Sequence, residues 1–366
     1  MLITKIKSLA RTLIGVISVT FMNEVPKLGG KFYCNLILDR VDGGPNRFLK
    51  NLTTSKRARG NLQINNWSLR GCSSALVFSG SWGNSFSKVC KKKSIKSILR
   101  VDGFFVPEDK IDLNYQHSEK FQGRMNRRLA YDLEAFDHII YQSHFSKEIC
   151  DEYLYHRKSD FSIISNGTDI NHFKPGNYIS NKELKIIVLA KHYPKHLDLA
   201  LSIFKVIQKY ENVEMTIVGT MRNGTEGVKD YVNQSSIISL ENSNIKFKSF
   251  IKLDNLPSLL SSHDVFLHVK VGDWCPNAVI EAMSCGLPVV CPSWGGTKEI
   301  LGNAGISVDG PKWGVNKQLI EGMAQAVLEI SKDLNTYKEN ARKHAIENHS
   351  IDDVSSKYLK LLNLIN

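Results

Sequence analysis

The sequence lacks several features that would place it in a class at once. No apolar run reaches the roughly 18 residues that a membrane-spanning helix needs, and the longest, residues 13–22, is interrupted by Ser18 and Thr20. Its seven cysteines form no Cys-x-x-Cys pair, so neither a zinc ribbon nor a disulfide framework is indicated. We therefore exclude a multi-span membrane protein and expect reduced, mostly buried thiols in a cytosolic compartment.

Acidic residues are scarce in the first part of the chain. Residues 1–100 contain 18 lysines and arginines against Glu24, Asp39 and Asp42, a net charge of +15, whereas the remaining 266 residues carry 30 against 33, a net charge of −3. This asymmetry indicates that one face of one domain meets an anionic partner. Nucleic acid, an anionic membrane and a phosphorylated substrate all fit, and composition alone does not distinguish them.

The rest of the composition is that of an ordinary globular protein. With 366 residues, 42% hydrophobic and 23% charged, two domains are expected. From residue 32 onwards short apolar runs alternate with longer amphipathic segments, which predicts parallel sheets built from right-handed βαβ units. The alternation breaks at residues 175–182 (Pro-Gly-Asn-Tyr-Ile-Ser-Asn-Lys), which we interpret as a linker.

We therefore predict two doubly wound α/β domains in tandem, residues 23–176 and 183–345. A helix over residues 346–366 is expected to pack back on the first domain. Domains of this class bind ligands outside the carboxyl ends of their strands, so the cleft between the two domains is the expected site.

The first 22 residues have a basic start and leucines and isoleucines at helical spacing. This pattern resembles a signal peptide, but no cleavage site of small residues follows. Two interpretations stay open: a helix that lies on an anionic membrane surface, and a loosely docked N-terminal helix.

The most informative pattern lies between Asp264 and Gly305. An apolar strand ends there in a loop that holds Asp273, and a helix that begins after Pro276 carries Glu281. The N–H groups at the start of a helix form a pocket for anions. The spacing lets both carboxylates face one ligand at the carboxyl end of the strand.

This block resembles the donor-binding signature of the family 4 glycosyltransferases, which are retaining enzymes that use nucleotide-sugars and have the GT-B architecture. The matching segments are Asp273-x7-Glu281, residues 282–289 (Ala-Met-Ser-Cys-Gly-Leu-Pro-Val) and residues 295–299 (Gly-Gly-Thr-Lys-Glu). The family usually has Glu where Asp273 stands. The resemblance implies an α/β GT-B fold, two Rossmann-like domains facing an interdomain cleft, with an N-terminal acceptor-binding and a C-terminal nucleotide-sugar-binding domain.

The resemblance also implies roles for individual residues. Glu281 would accept hydrogen bonds from the ribose hydroxyls of the nucleotide, and Asp273 would contact hydroxyls of the sugar. Glu299 would support the Gly-Gly turn that precedes it. Backbone groups at the start of the helix would hold the sugar and the phosphates: Asn277, Ala278 and Val279.

Two lysines follow the first strand of the second domain. By the resemblance, Lys191 and Lys195 would grip the diphosphate, and cations aimed at a departing diphosphate are worth ~2.7–4 kcal/mol each in the transition state. The alternative is that two surface lysines flank a loop. Gly219 matches the turn after the next strand, where a small residue lets the ligand approach.

The resemblance is weaker in the first domain. Gly43 and Gly44 correspond to a Gly-rich loop that in the family faces the donor phosphates and the acceptor. Asp102 stands where many members have a histidine, and we expect it to position the acceptor. Ordinary turn chemistry is an equal alternative for these residues.

The expected activity is retaining transfer of a sugar from a nucleotide-sugar to a glycan or lipid-linked acceptor, in cell-surface polysaccharide biosynthesis. No metal or other cofactor is expected, because the sequence has no Asp-x-Asp motif and no His/Cys cluster at ligand spacing. The location would be cytoplasmic, with peripheral contact at the cytoplasmic face of the inner membrane through the basic half. No nucleic acid partner is expected.

Two alternatives of other classes remain. A dinucleotide-dependent oxidoreductase would need a Gly-x-Gly-x-x-Gly motif after its first strand, which residues 42–47 do not fit. A basic nucleic-acid-binding module is suggested by the charge of the first half, but no recognised binding motif accompanies that charge.

Overall fold

A computed structural model describes most of the chain: residues 32–34, 44–57, 64–65, 69, 72–78, 84–106, 119–176, 183–192, 194–221, 227–238, 244–249 and 251–362. The predicted membrane-surface helix over residues 1–22 and the candidate Gly43 lie outside these ranges. Among the residues that are described, no helix combines the length and the apolar character needed to cross a membrane.

Strands and helices alternate along much of the described chain, which ends in three successive helices. The elements before residue 177 are β1 (Phe32–Cys34), α1 (Gly44–Thr54), β2 (Ile64–Asn65), β3 (Ser74–Phe78), α2 (Asn84–Lys92), β4 (Lys96–Arg100), α3 (Glu119–Ala135), β5 (His138–Tyr141), α4 (His144–Tyr153) and β6 (Phe161–Ile163). Those that follow are β7 (Leu184–His192), α5 (Pro194–Ile207), β8 (Val213–Met221), α6 (Val228–Gln234), β9 (Ile245–Lys248), α7 (Leu256–Ser261), β10 (Val265–Leu267), α8 (Asn277–Ser284), β11 (Val289–Pro292), α9 (Thr297–Leu301), β12 (Gly305–Val308), α10 (Lys317–Lys332), α11 (Leu334–Asn348) and α12 (Ile351–Leu361).

The described residues divide into two compact units. The first contains a six-stranded parallel sheet in the order β2-β1-β3-β4-β5-β6. Every residue of β3 is buried, as expected for a parallel strand that helices cover on both faces. The end of the chain belongs to this unit from Asp352 onwards. Asp352 accepts a hydrogen bond from the Lys56 N–H (2.7 Å).

The second unit contains a six-stranded parallel sheet in the order β12-β11-β10-β7-β8-β9. Successive residues of β7 point to opposite faces: Ile186 and Val188 pack in one core cluster with α5 and α10, and Ile187 packs in the other with α7, α8 and α11. Side chains of a strand alternate between its two faces, so every second residue lies on the same face. Helices on both faces of a parallel sheet make the unit doubly wound, as predicted.

The chain passes from the first unit to the second between Ile164 and Ser165, before the predicted linker. The Arg342 guanidinium holds this segment to the second unit by donating to the carbonyls of Ile170 (3.0 Å), Phe173 (2.9 Å) and Ser284 (2.7 Å). The chain returns to the first unit between residues 351 and 352, a few residues after the predicted end of the second domain.

Candidate active site

The carboxyl ends of β7 and β10 lie side by side in the second sheet. Val265 pairs with Ile186 and Phe266 with Ile187, so β7 extends further than β10 at this edge. Residues 268–276 connect β10 to α8 and therefore leave the sheet beside the end of β7. Ligands of doubly wound sheets bind at this kind of edge.

Asp273 is held in that connection by three neighbours. Its Oδ1 accepts a hydrogen bond from the Trp274 N–H (2.8 Å) and lies 3.1 Å from the Lys270 ammonium. Its Oδ2 lies 3.5 Å from His268 Nε2. The Asp273 side chain is 15% exposed, so the carboxylate is oriented by the protein and still reaches solvent.

The surroundings of Asp273 favour its ionised form. Burial is the largest influence and raises the pKa of the carboxyl, but the charge of Lys270, the attraction of His268 and the hydrogen bonds from Lys270 and the Trp274 N–H outweigh it, and the pKa is lowered. Burial is also the largest influence on His268 and lowers its pKa to about 4. At neutral pH, Asp273 is therefore an anion beside a neutral imidazole.

Helix α8 begins directly after this loop. Pro276 is its N-cap, and the Val279 N–H donates to the Pro276 carbonyl (3.2 Å). Since the first N–H groups of a helix have no acceptor within it, Asn277 and Ala278 present theirs at the helix start, and the predicted donor Val279 is engaged locally. Among the described residues, the buried Oδ1 of Asn277 has no hydrogen-bond partner.

Glu281 lies one turn further along α8 and is only 1% exposed. It is therefore not a solvated helix residue. Carboxylates are almost never buried to this degree without interacting groups. Its buried neighbours Ile280 and Ala282 pack in the core of the second unit.

The Gly295-Gly296 turn lies against the Asp273 loop. The Gly296 N–H donates to the Asp273 carbonyl (2.7 Å). Gly295 has φ +144°, and a Cβ there would stand 3.0 Å from the same carbonyl oxygen, so only glycine allows this approach. Thr297 follows in α9, and among the described residues its buried hydroxyl has no hydrogen-bond partner. Glu299, the expected support of the turn, is exposed.

The predicted phosphate-binding residues lie on the neighbouring elements. Lys191 is the penultimate residue of β7, and Lys195 is half-buried in the first turn of α5. Gly219 pairs with Ala190 inside β8, which runs on to Met221, so the prediction that Gly219 lies in the turn after this strand is wrong. Its φ of +131° nevertheless requires glycine.

The candidates of the first unit have local partners. Asp102 forms an ion pair with Arg100, which is 1% exposed, donates from Nε to the Tyr358 hydroxyl (3.1 Å) and lies 4.1 Å from the Phe48 ring centroid. Asp102 also accepts from Gln142 Nε2 (3.2 Å). Its observed contacts are therefore those of a structural counter-ion. Gly44 is the exposed first residue of α1.

Sequence reasoning missed His268 and Lys270. The three-residue spacing between Lys270 and Asp273 could have indicated an ion pair between them. However, a short apolar strand that leads into a loop does not show in which direction the side chains of the loop point. Within the described part of the chain, no group of three or more His, Cys, Asp or Glu side chains is placed to hold a metal ion.

Comparison with known proteins gives a family match for the second unit. Residues 183–333 match the family model described as glycosyl transferases group 1. A human relative, one of the subunits of phosphatidylinositol N-acetylglucosaminyltransferase, is 26% identical over 218 residues, 59% of this chain and 43% of that protein. The chain spans about two fifths of the length of the curated relatives it matches.

Solved structures extend the likeness to most of the chain. HepE from Anabaena, crystallised with UDP-glucose, is 16% identical with a TM-score of 0.67 and covers 91% of this chain and 99% of its own. Sucrose-phosphate synthase from Thermosynechococcus elongatus is also 16% identical, with a TM-score of 0.63 over 80% and 73% of the two chains. The matches support the prediction of a transferase. The chain has the predicted GT-B fold, and its residues 183–333 match the group 1 glycosyl transferases.

Proposed function

We propose that this protein is a retaining glycosyltransferase of family 4 that transfers a sugar from a nucleoside diphosphate to a glycan or lipid-linked acceptor. One observation carries the proposal. The ionised Asp273 precedes a helix start whose first N–H groups are free of helical acceptors, and the buried Glu281 follows on the same helix. Strand β7 ends at this same edge of the sheet, and Lys191 is its penultimate residue.

The donor is proposed to be a uridine diphosphate sugar. The N–H groups of Asn277 and Ala278 suit a phosphate or sugar oxygen because the start of a helix is positively polarised. HepE, which shares the fold, was crystallised in complex with UDP-glucose, and this supports the choice of nucleotide. Glu281 is assigned to the ribose hydroxyls and Asp273 to hydroxyls of the sugar.

The transfer step follows from these assignments. The bond between the anomeric carbon and the β-phosphate oxygen breaks, and the acceptor oxygen bonds to the anomeric carbon on the same face. The proton of the acceptor hydroxyl passes to the departing phosphate. Lys191 and Lys195 stabilise the negative charge that grows on the diphosphate. No protein nucleophile is used, in contrast to retaining hydrolases with two carboxylates.

The acceptor is proposed to be lipid-linked. The human relative is named for transfer to phosphatidylinositol, which is a lipid of the membrane surface. The alternative within this proposal is a growing surface polysaccharide on a lipid carrier. With either acceptor, we propose that the enzyme works at the cytoplasmic surface of a membrane.

The first unit carries a surface suited to that location. Helices α2 and α3 pack against each other and expose cationic side chains, with Tyr131 56% exposed among them. We call these residues the basic face: Lys88, Lys91, Lys92, Lys93, Arg124, Arg127 and Arg128. Each basic residue near an anionic bilayer contributes about 1 kcal/mol of binding.

Donor binding is tested with purified protein and a panel of nucleotide-sugars, free nucleotides and dinucleotides, read as shifts of the thermal midpoint. A donor at 100 times its Kd stabilises the protein by ~2.7 kcal/mol. We expect UDP-sugars to raise the midpoint. A shift by a dinucleotide alone would instead identify an oxidoreductase, and no response to any nucleotide-sugar would contradict the proposal. Turnover that survives EDTA tests the proposed independence of metal ions.

The two carboxylates are tested by Glu281→Gln and Asp273→Asn, with Glu321→Gln on the exposed face of α10 as control. Glu281→Gln should weaken the binding of UDP itself, because the hydrogen bonds to the ribose are lost. Asp273→Asn should leave the affinity for UDP unchanged and reduce turnover by 100-fold or more, which is the size of effect expected for a preorganised electrostatic group. Full turnover in either variant would remove that residue's assignment.

Membrane contact is tested by co-sedimentation with vesicles of phosphatidylcholine alone or with phosphatidylserine. We expect binding to the anionic vesicles that falls at high salt. Lys91→Glu combined with Lys92→Glu should weaken it by about 30-fold or more, since two favourable charges are lost. The matched control, Lys332→Glu with Lys343→Glu in the second unit, should change it little. Equal binding to both vesicle types would contradict this part of the proposal.

A further inference from the structure

Trp313 adopts a backbone conformation that few residues tolerate. It lies in the segment between β12 and α10 and has φ +55°, the left-handed region that disfavours any side chain with a Cβ. Gly310 and Gly314 flank it and could take this conformation at lower cost. A strained non-glycine residue persists only when its surroundings hold it in place.

The surroundings of Trp313 are the loop that carries Asp273. A Cβ built on Gly272 would stand 2.2 Å from Cζ3 and 2.6 Å from Cε3 of Trp313, so the six-membered ring of the indole lies directly on the Gly272 backbone. Gly272 also has a positive φ of +72°. These two residues are far apart in sequence and pack as a matched pair.

A second tryptophan ties this contact to the same loop. Trp294 and Trp313 form an edge-to-face pair with ring centroids 5.8 Å apart, a geometry that stabilises aromatic pairs. The Gly272 N–H donates to the Trp294 carbonyl (2.7 Å). Lys312 lies 4.6 Å from the Trp294 ring centroid.

The Gly295-Gly296 turn holds the next residue of the loop through the hydrogen bond from the Gly296 N–H to the Asp273 carbonyl. The Asp273 loop is therefore held both by backbone hydrogen bonds to Trp294 and Gly296 and by the Trp313 ring, which packs on Gly272. Removing the ring would leave these hydrogen bonds in place but remove the packing that restricts Gly272.

From this geometry we infer that Trp313 is a positioning residue that holds the Gly272-Asp273 loop and so sets where the Asp273 carboxylate meets the donor. The part about the donor rests on the proposed function. Trp313 acts through Gly272 and not by contact with substrate, and nothing in the 264–305 motif indicates it.

The first test needs no ligand. Hydrogen–deuterium exchange of peptides covering residues 270–274 is measured in Trp313→Ala, in Trp313→Phe and in Tyr210→Ala, which removes a 70% exposed aromatic side chain of the same unit. Alanine and phenylalanine both have a Cβ, so the positive φ is disfavoured in either, and only phenylalanine keeps a six-membered ring over Gly272. We expect exchange in this loop to rise by 10-fold or more in Trp313→Ala, to recover largely in Trp313→Phe and to stay unchanged in Tyr210→Ala. Unchanged exchange in Trp313→Ala would overturn the inference, as would an equal rise across the whole second unit.

The second test separates loop position from general stability. The affinities of UDP, UDP-glucose and UDP-N-acetylglucosamine are measured by titration calorimetry. One sugar nucleotide is expected to bind the wild type more tightly than UDP. We expect Trp313→Ala to bind that sugar nucleotide about 10-fold more weakly and to bind UDP within twofold of the wild type. The same pattern is expected for Asp273→Asn. Parallel losses for UDP and the sugar nucleotide would show a merely structural role and overturn the inference. Absence of binding in the wild type would refute the proposed donor, and the exchange result would still decide the role of Trp313.

Discussion

His268 should make the second unit less stable as the pH falls. Its side chain is 6% exposed, lies 3.5 Å from Asp273 and stacks on Phe266 with ring planes 15° apart. Burial is the main cause that lowers its pKa from 6.5 to about 4. The perturbation is His268→Gln, which keeps a polar group of similar reach that does not titrate.

The magnitude follows from proton linkage. Above pH 6.5 the histidine is neutral in the folded and the unfolded state and does not affect the pH dependence. Below that pH the unfolded state binds the proton more readily, so stability decreases until the folded pKa of about 4 is reached. With a pKa of 6.5 in the unfolded state and about 4 in the folded state, the free energy of unfolding falls by about 2 kcal/mol between pH 7.5 and pH 5. At pH values well below 4 the total loss is about 3 kcal/mol.

Urea unfolding at pH 7.5 and pH 5, followed by tryptophan fluorescence, measures this loss. Trp274, Trp294 and Trp313 all lie in the second unit, so their emission reports on its unfolding. His263 also has a pKa lowered mainly by burial, but it is present in wild type and variant and cancels in the comparison.

Between the two pH values, we expect the free energy of unfolding to fall by about 2 kcal/mol more in the wild type than in His268→Gln. The matched control, His144→Gln, replaces an exposed histidine and should keep the pH dependence of the wild type. Equal pH dependence in wild type and His268→Gln would refute the reasoning, because it would mean that the imidazole is as easily protonated in the folded protein as in the unfolded chain.

Two further predictions concern stability. Asp102→Ala should destabilise the first unit by about 3–5 kcal/mol in urea unfolding, because it leaves the Arg100 guanidinium buried without its counter-ion; a change below 1 kcal/mol would show that Asp102 is free for another role. Gly305→Ala should destabilise the second unit by about 3 kcal/mol or more, since its Cβ would meet the Val289 carbonyl oxygen at 1.9 Å. Gly314→Ala, with no neighbouring atom closer than 3.6 Å, is the control and should stay within about 0.5 kcal/mol; an equal effect of both would contradict the packing argument.

The strand and helix pattern was largely predictable because it depends on local periodicity. The sequence predicts a strand over residues 245–248 and a helix over residues 256–262, and β9 and α7 agree with these predictions to within one residue. Four elements are not predicted from the sequence: β2, α9, β12 and α11. The first three are short, and the amphipathic pattern of α11 is weak, with only Ala341 and Ala345 buried along it, so these segments give little periodic signal.

The candidate site was predictable in part. The carboxylates, the helix start and the Gly-Gly turn are close in sequence and could be assigned together. The partners that orient Asp273 were not assigned, although His268 and Lys270 precede it by only a few residues, because the turn of a loop backbone decides which side chains meet. Trp313 could not be found at all, since it lies far from Asp273 along the chain and only the order of strands β10, β11 and β12 brings the two together.

The amino-acid sequence by itself therefore determined the class of the fold and the segment that carries the acidic motif, because both are encoded in residue types at short, regular spacing. Only the tertiary structure decided the ionisation of Asp273, the burial of Arg100 beside Asp102 and the packing of Trp313 on Gly272. Charge and packing act through distances in space, and those distances exist only after strands from separate parts of the chain lie next to each other.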